Sequence, residues 1–193
     1  FQRLHANMAL PDRGIRRLPS AVRLAIALHQ RYRFDAIFSS GMPFSDHLIG
    51  LALQSWLRKP WLVDFRDPWV EYIHWQQWHS DWGGALTRAS EAGVVRRAAY
   101  VISVNEHMTR RFLSRYADQP VRKFVTIQNG FDPADYPRES GAPRRAHFRL
   151  LYAGSLYKTR SPQTVLVGFQ RGVETVPGSR EHGRVEFAGR AGP

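Results

Sequence analysis

The stretch KPWLVDFRDPWVEY, Lys59 to Tyr72, decides how the chain is read. Trp61-Leu62-Val63 is a short apolar run and reads as a buried strand. Asp64, Arg66 and Asp67 follow at once, and Pro68 stops the strand. In an open parallel α/β sheet, ligands bind outside the carboxyl ends of the strands, because loops and helix N-termini converge there. Two readings of the charged cluster therefore stand side by side. It emerges into a ligand crevice, or Arg66 pairs with a neighbouring carboxylate and merely seals the sheet edge.

Outward from this strand, apolar runs and helical periodicities alternate. Upstream, DAIFSS at Asp35 to Ser40 reads as a parallel-sheet strand, followed by the turn-prone Gly41-Met42-Pro43. Ser45 is a candidate cap for a helix over Asp46–Leu57, with Asp46 matched to the macrodipole and Leu48, Ile49, Leu51, Ala52 and Leu53 facing inward. Further upstream, Val22, Ala25, Ile26 and Leu28 give a helix over Ala21–Tyr32 with Ser20 as its cap. Downstream, a helix over Leu86–Arg97, a strand over Ala99–Val104, a helix over Glu106–Tyr116 and a strand over Lys123–Ile127 lead to Asn129-Gly130. This order implies βαβ units and an open parallel sheet covered on both faces.

Asp132 to Arg149 is rich in Pro, Gly and charge and reads as a linker. The alternation then restarts with a strand at Leu150–Ala153, a helix from about Ser161 to Val173 and a strand at Val185–Ala188. The expected organisation is a Rossmann-like domain over residues 1–135, a linker over 136–148 and the start of a second domain over 149–193. Two strands and one helix cannot close a core. The second domain is thus expected to be cut short, and the basic, aperiodic opening without a methionine suggests that the first lacks its N-terminal part.

The formal charge of +12 calls for a polyanionic partner: nucleic acid, an anionic membrane or a phosphorylated ligand. The arginines are scattered singly and in pairs, and most read as a solvated surface. The absence of cysteine excludes disulfides, thiolate metal sites and cysteine nucleophiles. No apolar run approaches the ~20 residues needed to cross a bilayer, and the N-terminus lacks a signal pattern. The expected location is cytoplasmic.

Other strand ends share the habit of DFRD. Ser39-Ser40-Gly41 follows one strand and Asn129-Gly130-Phe131-Asp132 another, while Gly154 to Arg160 opens the second domain. Gly154, followed by Lys158, Arg160 and a helix, suits a phosphate cradle of backbone N–H groups, a positive helix end and mobile cations. The spacing is neither that of a P-loop nor GxGxxG.

DFRDPW (Asp64–Trp69), VTIQNGFDPADY (Val125–Tyr136) and LLYAGSLYKTRSPQTVL (Leu150–Leu166) together resemble the nucleotide-sugar-dependent glycosyltransferases of family 4. The SSGMPFSDHLIGLAL run, Ser39 to Leu53, is similar to the acceptor-side domain of that family. The resemblance implies a GT-B fold, with acceptor held mainly by the first Rossmann-like domain and sugar nucleotide by the second. It implies donor phosphate contacts from Gly154, Ser155, Lys158 and Arg160. Here Ser155 stands where the family has arginine, and Arg160 where it has lysine; a guanidinium preserves the phosphate chemistry. Arg66 and Asp67 occupy the place of a histidine near the sugar and become the catalytic candidates, with Asp67 orienting an acceptor hydroxyl or the sugar. Gly41, Asp64, Trp69, Asn129 and Gly130 become acceptor or cleft residues. The family's glutamate pair is expected beyond Pro193.

The implied reaction is transfer of a sugar from a nucleotide-sugar donor to a glycan, lipid-linked or small-molecule acceptor, with retention, in cell-surface polysaccharide biosynthesis. No cofactor and no metal are implied; His79 with Asp81, and His74 with Asp67, read as packing residues rather than ligands. Trp75, Trp78 and Trp82 would share one helical face, either against the core, as an acceptor wall, or in the headgroup region of an anionic membrane. A non-catalytic remnant or scaffold of the same fold is the alternative. A nucleic-acid-binding module ranks below both, because the cations are not clustered.

Overall fold

The computed structural model describes residues 11–71, 81–136, 148–156, 161–176 and 179–190. The chain divides into two compact units, Phe1–Phe131 and Asp132–Pro193. Both are α/β with parallel strands, so the fold class follows the alternation in the sequence.

In the first unit, a 3-10 turn at Arg13–Arg17 leads into α1 (Leu18–Tyr32). The chain then runs β1 (Ile37–Gly41), α2 (Ser45–Leu57), β2 (Trp61–Phe65), α3 (Asp81–Arg97), β3 (Tyr100–Ser103), α4 (Glu106–Arg115) and β4 (Phe124–Thr126). The strands lie in the order β1-β2-β3-β4, all parallel, with Ile37 beside Trp61, Leu62 beside Tyr100 and Val101 beside Phe124.

That sequential order has a consequence for the layers. Right-handed crossovers that always step the same way place every connecting helix on one face of the sheet. Ile37, Trp61, Val63, Phe65, Val101 and Phe124 form that face, and they pack with Leu53 of α2, Val94 and Val95 of α3, and Met108 and Phe112 of α4. The opposite face shows Phe38 at 62% and Tyr100 at 48% exposure. The expectation of a sheet covered on both faces is thus corrected: among the described residues, helices cover one.

Local details differ from the sequence reading for identifiable reasons. α1 begins at Leu18, before Ser20, because Pro19 fits a first helical turn whose N–H groups need no partner; the Ser20 hydroxyl instead donates back to the Arg17 carbonyl at 2.9 Å. α2 begins at Ser45, and its cap comes from outside the helix. Asp12 accepts from the Ser45 backbone N–H at 3.0 Å and from its hydroxyl at 2.8 Å. The buried stripe of α2 is Ser45, His47, Gly50 and Leu53, while Leu48, Ile49 and Leu51 are half-buried at its margin. A Cβ at Gly50 would lie 2.6 Å from three atoms of the Trp61 ring, so the smallest residue lets the helix approach the sheet. Asn105 caps α4 by accepting from the Met108 N–H at 2.9 Å.

In the second unit β5 (Phe148–Ala153) pairs in parallel with β6 (Gly183–Ala188), joined through α5 (Gln163–Thr175) and the single turn α6 (Ser179–His182). No residue of β5 is buried. Among the described residues no helix is long and apolar enough to cross a membrane.

Candidate functional site

β2 runs two residues further than the apolar triplet suggests, so Asp64 and Phe65 belong to the strand. Phe65 faces the helices. Asp64 faces the other way and is only 2% exposed, so the carboxylate expected to emerge into a crevice is buried. Burial of a charge demands partners, and Asp64 has two. Its Oδ2 accepts from the Ser40 hydroxyl at 2.8 Å and from Arg66 Nε at 2.8 Å. Its Oδ1 is buried without a hydrogen-bond partner among the described residues.

Arg66 spans the carboxyl edge of the sheet. Its Nη1 donates to the Ile127 carbonyl at 3.1 Å and to Asn129 Oδ1 at 2.9 Å, reaching from the end of β2 past β3 to the segment after β4. A guanidinium has five N–H donors in a fixed fork; Nε and Nη1 are engaged, and Nη2 has no partner among the described residues. Of the two readings of DFRD, the side chains show the edge-sealing one, Arg66 paired with Asp64. Arg66 does seal the edge through Asp64, and in doing so gathers Ser40, Asp64 and Asn129 around one exposed rim. Asp67 sits half-buried on that rim, and its carboxylate has no partner among the described residues. Gly130 is exposed, with nothing within 4 Å of the Cβ it lacks.

Two cleft candidates lie deeper. Trp69 is fully buried and stacks on Phe44 with ring centroids 5.1 Å apart, so it supports the rim from below rather than lining it. Gly41 closes β1 over His47: a Cβ there would fall 2.7 Å from His47 Nε2.

His47 was not legible as a special residue. It is fully buried, with Nδ1 2.9 Å from the Ser39 hydroxyl, which also accepts from Trp61 Nε1 at 2.9 Å. Burial pushes its pKa down to about 4, opposed by the negative charges of Asp64 and Asp12, so the ring is neutral at pH 7. The only sequence signal was its place on the Ser45, Gly50 and Leu53 face of α2. Glu91 of α3 was also missed. It is fully buried, accepting from the Val70 N–H at 2.9 Å, from the Tyr116 hydroxyl at 2.8 Å and from Arg115 at 2.8 Å. Burial raises its pKa, while the Val70 and Tyr116 hydrogen bonds pull it back down. The same burial, and then Glu91 itself, push the Tyr116 hydroxyl up. Glu71 pairs with both Arg111 and Arg115, so Val70 and Glu71 are pinned to α3 and α4 just beyond the DFRDPW segment.

In the second unit, Gly154 has φ +156° and its N–H donates to the Ala188 carbonyl at 2.8 Å. A Cβ at Gly189 would fall 1.9 Å from the Gly154 oxygen, so the two strand ends cross in contact. The Gly154 N–H, expected to face a phosphate, is thus committed to the neighbouring strand end. Leu156 N–H likewise donates to Arg190 at 2.8 Å. The Ser155 carbonyl accepts from Tyr152 Oη at 3.3 Å. Lys158 and Arg160 lie outside the described residues, as do His74, Trp75, Trp78 and His79. A pocket of about 350 Å³ opens at this end of the unit, lined by Tyr152, Leu156, Ser161, Pro162, Val165 and Phe187. Among the described residues, no three His, Asp or Glu side chains converge as they would around a metal ion.

A family model described as a glycosyl transferase 4-like domain matches residues 2–130, the extent of the first unit. Among solved structures, one described as an S. aureus MnaA-UDP co-structure aligns with a TM-score of 0.49 and 9% identity, covering 90% of this chain and 46% of that one. The chain thus spans about half the length of that structure. No curated protein matches.

Proposed function

Because the chain belongs to the glycosyl transferase 4-like domain family, we propose that it moves a sugar from a nucleotide-sugar donor to a glycan, lipid-linked or small-molecule acceptor, with retention of anomeric configuration and in the assembly of cell-surface polysaccharide. The observation that carries this reading is the rim at the carboxyl edge of β1, β2 and β4. Ser40, Asp64, Arg66 and Asn129 hold one another there, and Asp67 is left open beside the two uncommitted N–H groups of Arg66.

That arrangement suits an acceptor. A fixed guanidinium edge and an open carboxylate can hold a sugar hydroxyl between donor and acceptor groups and orient its oxygen for attack. Because Asp64 neutralises Arg66, the clasp adds little net charge, and Asp67 is free to accept the hydroxyl proton. The leaving nucleoside diphosphate needs positive charge at its bridging oxygen. Lys158, Arg160 and the N-terminal turn of α5 would supply it, with Ser155 adding a hydroxyl donor, and the aromatic pocket beside Tyr152 and Phe187 suits a flat base. The reaction asks for no metal, and we place it in the cytoplasm, in peripheral contact with an anionic membrane.

The test is nucleoside diphosphate release and donor binding by the full-length protein across a panel of nucleotide sugars. Arg160→Ala should weaken donor binding roughly 10- to 100-fold, the worth of one charge-assisted phosphate contact. Asp67→Asn should lower turnover with donor binding kept. If no donor binds, the reading fails; if Arg160→Ala binds like the parent, Arg160 is not a phosphate ligand.

A further inference from the structure

A parallel α/β unit sends every helix C-terminus to the sheet edge opposite the rim just described. In this protein that amino edge is strongly cationic. Arg31 and Arg33 close α1, and Arg58 and Lys59 follow α2. Arg96 and Arg97 end α3, and Arg122 and Lys123 precede β4. Asp35 and Asp118 are the carboxylates that accompany them, leaving a surplus of six, half of the chain's +12.

The loops form one surface. The strand starts are level, since Ile37 pairs with Trp61, Leu62 with Tyr100 and Val101 with Phe124. Arg97 Nη1 donates to Ser55 of α2 at 2.6 Å, and Lys123 Nζ donates to the Arg96 carbonyl at 2.9 Å. A groove of about 470 Å³ lies among Tyr100, Gln119, Arg122 and Lys123. Cations at helix C-termini ordinarily balance the macrodipole, but four helix ends bring only about −2 in total. That leaves a surplus of about four unanswered.

Exposed apolar groups punctuate the same edge: Trp56 at 70%, Val121 at 71% and Tyr32 at 58%. Tryptophan and tyrosine among arginines suit the boundary between headgroups and acyl chains. A level edge with a protruding Trp and Val fits a flat, deformable anionic surface better than the grooves of a nucleic acid, which would leave Val121 without a partner. We infer that this amino edge docks on an anionic lipid bilayer through its seven accessible cations, Lys123 being buried beneath them, with Trp56 and Val121 entering the interface.

The inference rests on the peripheral membrane contact proposed above and names the surface that makes it. It also sets the acceptor rim on the far side of the sheet, roughly 15 to 20 Å from the lipid for strands of this length.

The test is co-sedimentation of the full-length protein with phosphatidylcholine vesicles, with and without 30 mol % phosphatidylglycerol (about one lipid in three), in the absence of any sugar donor. Its outcome is therefore independent of the transfer assay. We expect binding only to the anionic vesicles, falling with salt. Arg58→Gln with Arg122→Gln should weaken it about 25-fold, about fivefold per cation. Arg16→Gln with Arg110→Gln, the same charge change away from this edge, should leave it within twofold. Trp56→Ser should weaken it with the charge unchanged, in protein of parental thermal stability. No binding to anionic vesicles, equal loss in both double variants, or displacement of the protein from vesicles by duplex DNA at equal charge concentration would each overturn the inference.

Discussion

The buried, neutral His47 makes the stability of the first unit depend on pH in a calculable way. Its folded pKa is about 4, against about 6.5 in an unfolded chain. The unfolded state therefore takes up the proton first as pH falls, and stability is lost between the two values. From pH 7.5 to 4.5 the loss from this one ring comes to about 2.5 kcal/mol, approaching a plateau near 3.4 kcal/mol below pH 4. Carboxylates also titrate in this range, and Glu91, whose pKa is raised, contributes with the opposite sign. A comparison with His47→Asn isolates the ring, because the carboxylates are common to both proteins. Urea unfolding of each at pH 7.5 and 4.5 should show the parent losing about 2.5 kcal/mol more than the variant, a midpoint difference of roughly 1 to 2 M. Equal losses, or an NMR titration giving the His47 ring a pKa above 6, would refute the reasoning that burial keeps it neutral.

Three further outcomes follow from packing and pairing. Gly50→Ala gains about 1 kcal/mol of helix propensity, yet its Cβ would meet the Trp61 ring at 2.6 Å; the overpacking cost of about 1 to 3 kcal/mol should win, giving a lower urea midpoint. Glu91→Ala leaves Arg115 Nη1, the Tyr116 hydroxyl and the Val70 N–H without their acceptor, Glu71 still holding Arg115 Nη2, and should cost about 3 kcal/mol in chemical denaturation, with Glu91→Gln recovering part of it. Arg66→Lys keeps a charge for Asp64 but loses the fork, so amide exchange around Ile127 and Asn129 should quicken about tenfold while the core strands stay protected.

The alternation of strands and helices was plain in the sequence because each apolar run is short and bounded, as at Ile37, Trp61, Tyr100 and Phe124. Where the sequence misled, a distant residue had settled a local matter. Ser45 reads as a cap, but Asp12, 33 residues earlier, caps the helix and binds Ser45 as well. Asp64 reads as exposed because it is charged; its burial depends on Arg66 nearby and Ser40 on the next strand. The link from Arg66 to Asn129 spans 63 positions, and no periodicity carries such a pairing. His47 and Glu91 were invisible for the same reason: their partners Ser39, Trp61, Val70 and Tyr116 come together only once the helices lie on the sheet. Gly154 was read as part of a phosphate cradle, whereas its N–H donates to Ala188 and its carbonyl lies against Gly189.

The Arg66 clasp has a mechanical consequence. It grips the backbone at Ile127 and the side chain of Asn129, and the chain leaves the first unit at Phe131. Loosening the segment at Ile127 and Asn129 would therefore strip partners from the guanidinium that neutralises a buried carboxylate. The last residues before the chain leaves the first unit are thus anchored by the same side chain that holds Asp64 in place.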